Sequence, residues 1–283
     1  MIDETAEEIR EMQTHSSSVV AVKAAEALRD LTEREFGSVE EYVQALAHNS
    51  SALRGANPSH ASLWSTQNEI VSAVRGADPG SVDEAKERTA EAIDAVVEVV
   101  ETAKRRAAEH AAATIEDGEA ILTHDYSTTV LDAIRLATEA GAELTVDVTE
   151  ARPRFLGRKT ARALADISGV ETTLYVDSAS GYALAECDRV MVGMDCIVED
   201  TLYNRVGTYP IAAVANDLGV PVDVVGSSAK LVSGGFRFEN DLRSATEVTL
   251  EPPDGFAVEN PAYDATPTRL LRQVITDDGV QEL

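Results

Sequence analysis

At Asp117-Gly118 the periodicity of the chain changes. Downstream, short apolar runs of strand length (120–123, 143–148, 172–176, 189–192 and 222–225) alternate with helical ones (130–140, 159–167, 182–187 and 210–218). Continuous apolar strands separated by helices predict a parallel sheet covered on both faces. Upstream, apolar residues recur at helical spacing over 4–12, 19–34, 39–47 and 63–74. A long helix then starts at Ser81, where Ser81 and Glu84 form a capping box. The class is α/β, with a helical unit over 1–117 and a sheet unit over 118–283.

Charge narrows the partners. Fifty Asp and Glu against 24 Lys and Arg give a formal charge of −26. Such a surface repels phosphate backbones and anionic membranes, so neither nucleic acid nor a membrane is an expected partner. The only lysines are Lys23, Lys86, Lys104, Lys159 and Lys230. An acid excess spread along the whole chain suits concentrated salt, where self-repulsion is screened, and reads as halophilic habitat rather than function. Cys187 and Cys196 make neither a disulfide scaffold nor a CxxC pair, and the histidines lack metal-ligand spacing, so no metal or cofactor is expected. With no signal-like segment and no apolar run near the roughly 20 residues of a membrane span, a cytoplasmic protein is expected.

In a parallel sheet of this kind ligands sit beyond the carboxyl ends of the strands. The first such loop, Thr123 to Thr129, offers Ser127, Thr128 and backbone N–H groups at a helix start, which favours an anion, while Asp125 opposes one. His124 reads as a residue that orients this loop. The next loop carries Arg152, Arg154 and Arg158, read as surface or interface ion pairs rather than ligand clamps. Gly193-Met194-Asp195, Asn204 to Tyr209 and Gly226 to Lys230 follow other strands. There is no GxGxxG, GxxxxGK[ST] or GxSxG to anchor a nucleotide-binding or serine-hydrolase reading.

Thr123-His124-x-Tyr126-Ser127, Thr149-Glu150-Ala151-Arg152-Pro153 with Gly157, Gly193-x-Asp195, Asn204-x-Val206-Gly207-Thr208 and Tyr263-Asp264-x-Thr266-Pro267 occur in this order. Together they resemble the superfamily of the initiation factor 2B alpha, beta and delta subunits. That superfamily also contains ribose-1,5-bisphosphate isomerase and methylthioribose-1-phosphate isomerase. The resemblance implies an N-terminal helical bundle, a Rossmann-like parallel sheet domain, and a homodimer or larger homo-oligomer. The isomerases resembled carry a cysteine after Thr-His and an aspartate after Gly-x, an acid–base pair that moves a proton between adjacent carbons of an open-chain sugar phosphate. Asp195 matches the second residue, and Asp125 stands at the first. Arg205, beside Asn204, and Lys230 stand where the isomerases have lysines. Thr14-His15-Ser16-Ser17 and Asn57-Pro58-Ser59 depart from their arginine-bearing motifs.

Thr-His-x-Tyr-Ser resembles the alpha-subunit branch, which is regulatory and noncatalytic. The first reading is therefore an initiation factor 2B-like regulatory protein without catalytic activity. It would bind a phosphorylated sugar or nucleotide metabolite through Ser127, Thr128, Asn204, Arg205 and Lys230, with a translation factor as a further partner. The alternative is an aldose–ketose isomerase of a sugar phosphate such as ribose 1,5-bisphosphate, with Asp195 and Asp125 as its catalytic pair.

Overall fold

The computed structural model describes residues 2–10, 17–232, 235–251 and 254–283. By contacts the chain forms two units: residues up to Thr102 with Ala229–Glu239, and Ala103–Ser228 with Asn240–Leu283.

The first unit is helical. It contains α1 (Ile2–Arg10), α2 (Ser17–Ala27), α3 (Val39–Ala56), α4 (Ala61–Gly76) and most of α5 (Val82–Ala112). Residues 11 and 12 of the expected first helix, and Thr14 to Ser16, lie outside the described residues. At the start of α5 the Glu84 amide donates to Ser81 Oγ at 3.2 Å and the Glu84 carboxylate accepts from the Gly80 amide, as the capping signal predicts. Leu28, Leu46, Leu53, Leu63, Ile70 and Ile93 fill the core, and buried Tyr42 donates its hydroxyl to Thr89 at 2.9 Å. The expected end of α3 at residue 47 is corrected: the helix continues to Ala56. The polar run His48-Asn49-Ser50-Ser51 reads as a break, but Ser50 is buried and donates to the Gln67 carbonyl, and Leu53 is core. The two-residue strand β8 (Leu231–Val232) also belongs to this unit.

The second unit is built on a seven-stranded sheet. In chain order its strands are β1 (Ala120–His124), β2 (Leu144–Thr149), β3 (Val170–Tyr175), β4 (Arg189–Gly193), β7 (Val222–Val225), β10 (Gln273–Thr276) and β11 (Gly279–Glu282). Their spatial order is β11-β10-β7-β4-β1-β2-β3, parallel throughout except for β11. Helices α6 (Thr128–Glu139) and α7 (Leu156–Ala165) pack against each other, as do α8 (Ser180–Leu184) and α9 (Thr208–Leu218). Strands β1, β4 and β7 are buried along nearly their whole length, which accounts for their largely apolar sequences.

The chain lays β2 and β3 to one side of β1 and then returns to place β4 on the other. The connection therefore reverses direction between β1 and β4. Ligand crevices in open parallel sheets form at this reversal, above the carboxyl ends of the two strands. A second, antiparallel ladder interrupts the β4-to-α9 connection. It consists of β5 (Cys196–Val198), β6 (Thr201–Arg205) and β9 (Tyr263–Pro267). Among the described residues no helix is long and apolar enough to cross a membrane, and no group of three or more metal-ligating side chains occurs. Both cysteines are buried, and burial pushes the Cys187 thiol up to about 12, which keeps it protonated and unreactive.

Candidate active site

The loops after β1 and β4 meet because two glycines let them. A Cβ at Gly193 would stand 2.7 Å from Ser127 Oγ, so only glycine lets the end of β4 pass the start of α6. Gly207 has φ +109°, and a Cβ there would stand 2.7 Å from the His124 ring. Several other motif residues fix this frame. His124 is buried; its Nε2 donates to the Val206 carbonyl at 2.9 Å, and its Nδ1 is hydrogen-bonded to the Thr149 hydroxyl at 2.6 Å. One ring thus ties the ends of β1, β2 and β6 together. Asn204 is buried and donates to Thr208 Oγ1 at 3.0 Å, while Thr208 donates to the Arg205 carbonyl at 2.7 Å. The Asp264 carboxylate accepts from the Gly207 and Tyr209 amides at 2.7 and 3.0 Å and caps α9.

Inside the frame lies a compact charged cluster. Asp125 sits at φ +64°, in the left-handed region that aspartate tolerates, and its backbone carbonyl accepts from Thr160. Its carboxylate faces the Arg205 Nε at 3.4 Å. The Arg205 guanidinium lies 4.8 Å above the Tyr263 ring centre. Asp195, half-buried after β4, is within electrostatic reach of Asp125, Arg205 and Tyr263. Burial raises the Asp125 carboxyl above its ordinary range and Asp195 adds to the rise, against the pull of Arg205, His124 and the Tyr126 amide. Burial lowers the proton affinity of Arg205, but Asp195, Tyr263 and Asp125 together raise it further, so this guanidinium is a fixed cation. Burial, reinforced by Asp195, pushes the Tyr263 phenol up to about 12.

The residues anticipated from sequence divide accordingly. Asp125, Asp195 and Arg205 come together. Ser127 caps α6 by accepting from the Val130 amide, Thr128 is the exposed first residue of that helix, and Asn204 braces α9. Lys230 closes a short 3-10 turn (Ser228–Lys230) and belongs by contacts to the helical unit. Sequence reasoning missed Tyr263 as a member of the cluster, although it opens the fifth motif, and missed Arg243, which lines the adjoining cavity with Asp125, Arg154 and Arg205.

The shifted Asp125 carboxyl has a consequence for stability. A carboxyl raised on folding favours the folded state below its unfolded value near 4, and that advantage is lost as pH rises through the raised value. Asp125→Asn should therefore gain thermal midpoint relative to the parent as pH is raised from about 4 toward neutrality. A difference between the two midpoints that stays flat, or shrinks, across that range would contradict the shift.

A mostly parallel sheet with a carboxylate pair and a half-buried arginine at its reversal point places the protein among the open α/β sheet proteins, whose ligand crevices form at that point. Within that class, a family model described as "Initiation factor 2 subunit family" matches residues 13–282, and the chain belongs to this family. It is 33% identical to the ribose 1,5-bisphosphate isomerase of Archaeoglobus fulgidus, over 98% of this chain and 88% of that protein. It is 31% identical to the ribose 1,5-bisphosphate isomerase of Haloferax volcanii, over 97% of this chain and 87% of that protein. Among solved structures it resembles the translation initiation factor eIF-2B of Pyrococcus horikoshii, at 27% identity with a TM-score of 0.79, covering 99% of this chain and 96% of that one.

These relatives correct the first reading. The tyrosine-bearing loop after β1 resembles a noncatalytic regulatory branch, yet several curated relatives matching nearly the whole chain are named as isomerases. The noncatalytic reading gave most weight to the repulsion between Asp125 and an anion. Burial biases this carboxyl toward its neutral form, and Arg205 opposes the charge that remains.

Proposed function

We propose that the protein is an aldose–ketose isomerase of a phosphorylated sugar, with ribose 1,5-bisphosphate as the leading substrate. The observation that carries this reading is the Asp125–Arg205–Asp195 cluster at the sheet's reversal point. Isomerisation takes one proton from the hydroxyl-bearing carbon and one from its hydroxyl, and returns one to the neighbouring carbon and one to the oxygen released as the sugar ring opens, with no net change in composition. Two carboxyls in different surroundings can divide this work, because the more buried one holds a proton more readily. Asp125 is accordingly assigned the donor role and Asp195 the acceptor role. Arg205 stabilises the negative charge that builds on the substrate oxygen as the proton leaves carbon. The Tyr263 phenol, neutral at working pH, supports the guanidinium through its ring.

The test is direct turnover: purified protein in concentrated KCl should convert ribose 1,5-bisphosphate to the corresponding ketose bisphosphate. Absence of turnover across salt and pH would sink the reading.

The molecule is further proposed to act as a homodimer or larger assembly in a salt-rich cytoplasm. Leu174 and Val176 on or beside the edge strand β3, with Tyr182 on α8, are exposed large apolar side chains that such an assembly would cover. Lowering KCl from about 1 M to about 0.1 M lengthens the screening distance from about 3 Å to about 10 Å, so the −26 charge should lower the thermal midpoint. Light scattering at the higher salt should give at least a dimer; a monomer there, or a midpoint indifferent to salt, would remove this part of the proposal.

A further inference from the structure

The loop from Thr149 to Leu156 is built so that one of its arginines is left over. The Asp177 carboxylate accepts from the Ala151 and Arg152 amides at 2.7 Å each. Ala151 and Phe155 both sit at φ +57°, and the Phe155 amide donates to the Ala151 carbonyl at 2.8 Å. The Phe155 ring lies beneath the guanidinium groups of Arg158 and Arg152, at 3.8 and 4.8 Å. Arg158 also pairs with Glu150 at 2.6 Å, and Arg152 donates to the Val248 carbonyl at 3.2 Å. Two of the three arginines are thereby committed.

Arg154 is not. It has no hydrogen bond or ion pair among the described residues, although it is half-buried. It lines a cavity with Asp125, Arg205, Arg243, Asn260 and Ala262. Arg243 is held across that space as a fork on Glu247, with contacts of 2.7 to 3.1 Å, and pairs with Asp241 at 3.3 Å. Arg205 is matched by Asp125 at 3.4 Å. Burial first, and then the charges of Arg243 and Arg205, depress the proton affinity of Arg154. Glu247 and Asp125 oppose that depression, so the guanidinium charge around the cavity is largely offset, and what sets Arg154 apart is a fork without a hydrogen-bond partner. Arg205 and Arg243 each have a carboxylate within ion-pair distance, whereas Glu247 and Asp125 reach Arg154 only at longer range.

We infer that the cavity bounded by Arg154, Arg205 and Arg243 is the seat of a phosphate monoester dianion, with Arg154 as its principal ligand. This deepens the isomerase reading and rests on it for the identity of the ligand: the group seated is one phosphate of the sugar bisphosphate. A guanidinium fork matches phosphate oxygens in pairs, and here the fork is free and its loop is already fixed, so little ordering is needed on binding. Asp125 borders the same cavity, which puts the phosphate end of the substrate next to the assigned proton donor.

The experiment uses the full chain and inorganic phosphate as probe, titrated calorimetrically at one fixed KCl concentration and about pH 8, above the second phosphate ionisation near 6. The parent should bind phosphate, and Arg154→Gln should weaken binding about tenfold or more. Arg162→Gln is the control, since it removes the same charge from an exposed position of α7 outside this cavity, and it should leave binding within about twofold. The phosphate-free thermal midpoint of Arg154→Gln should stay close to the parent's, because no hydrogen bond or close ion pair is lost and the longer-range attractions and repulsions on Arg154 oppose one another. With ribose 1,5-bisphosphate the same variant should raise KM about tenfold or more and change kcat less. Failure of the parent to bind phosphate, equal binding by parent and Arg154→Gln, or equal losses in Arg154→Gln and Arg162→Gln would each overturn the seat. Arg154-dependent phosphate binding without sugar turnover keeps the seat and sinks the isomerase; turnover with KM unchanged in Arg154→Gln does the reverse.

Discussion

Asp195→Asn should lower kcat for ribose 1,5-bisphosphate by about 10²- to 10⁴-fold, the usual contribution of one positioned acid or base. The amide is nearly isosteric and cannot accept the proton, so the loss should fall on kcat while KM moves little. The position tolerates the change structurally. The Asp195 amide bonds to the Tyr203 carbonyl through the backbone, and that contact is untouched. A variant that folds normally and keeps more than about a tenth of parental turnover would remove Asp195 from the proton path. Loss of turnover together with a large fall in thermal midpoint would show instead that the side chain is structural. Asp125→Asn should also lose turnover while holding or gaining midpoint near neutrality, so the two carboxylate variants agree on activity and diverge on stability.

Strands β1, β4 and β7 were legible in the sequence because they are buried on both faces. Runs such as Val190-Met191-Val192 and Val222 to Val225 can hardly be read otherwise. The ladder of β5, β6 and β9 was not legible. The β5–β6 hairpin turns at Glu199-Asp200, with Glu199 at φ +51°, which is not the Asn-Gly or Asp-Gly pair that marks such turns, and β5 is only three residues long. β10 is fully buried but begins with Gln273 and ends with Thr276, so its apolar signal is two residues wide.

The candidate site divides in the same way. The ordered motifs brought Asp125, Asp195 and Arg205 to attention, but most other motif residues turn out to brace loops: His124 by its two ring contacts, Asn204 through Thr208, and Asp264 at the start of α9. Position at a strand end identifies a loop and cannot say which side chains are already committed. Arg152, Arg154 and Arg158 look alike in sequence. What separates them is Phe155, Glu150 and the carbonyl of Val248, the last of these almost a hundred residues away.

The largest effect on stability should come from the opposite end of the same sheet. Arg189, at the start of β4, is 5% exposed and makes four contacts to three residues. It pairs with Glu119, reaches Asp223 at 3.2 Å, and donates to the Thr114 hydroxyl and carbonyl at 3.2 and 2.6 Å. Asp223 on β7 is 0% exposed and also accepts from Arg272 Nε at 2.9 Å. One guanidinium thus joins β4, β7, the residue before β1 and the turn after α5. Arg189→Ala would leave the Glu119 carboxylate short of a partner and a cavity among strands that cannot easily close. Breaking a buried pair from one side costs about 3–5 kcal/mol, because the remaining charge stays desolvated. For a domain of this size that is a fall of roughly 6–20 °C in thermal midpoint. Arg272 forks onto both Asp223 oxygens and keeps that carboxylate paired, so the loss falls on Glu119 and on the cavity left behind. The double variant Arg189→Met, Glu119→Gln should recover much of the midpoint, since it removes the stranded charge along with its partner while Arg272 stays paired with Asp223. A single variant within about 1 kcal/mol of the parent, measured by chemical denaturation at fixed salt, would show that solvent already satisfies Glu119.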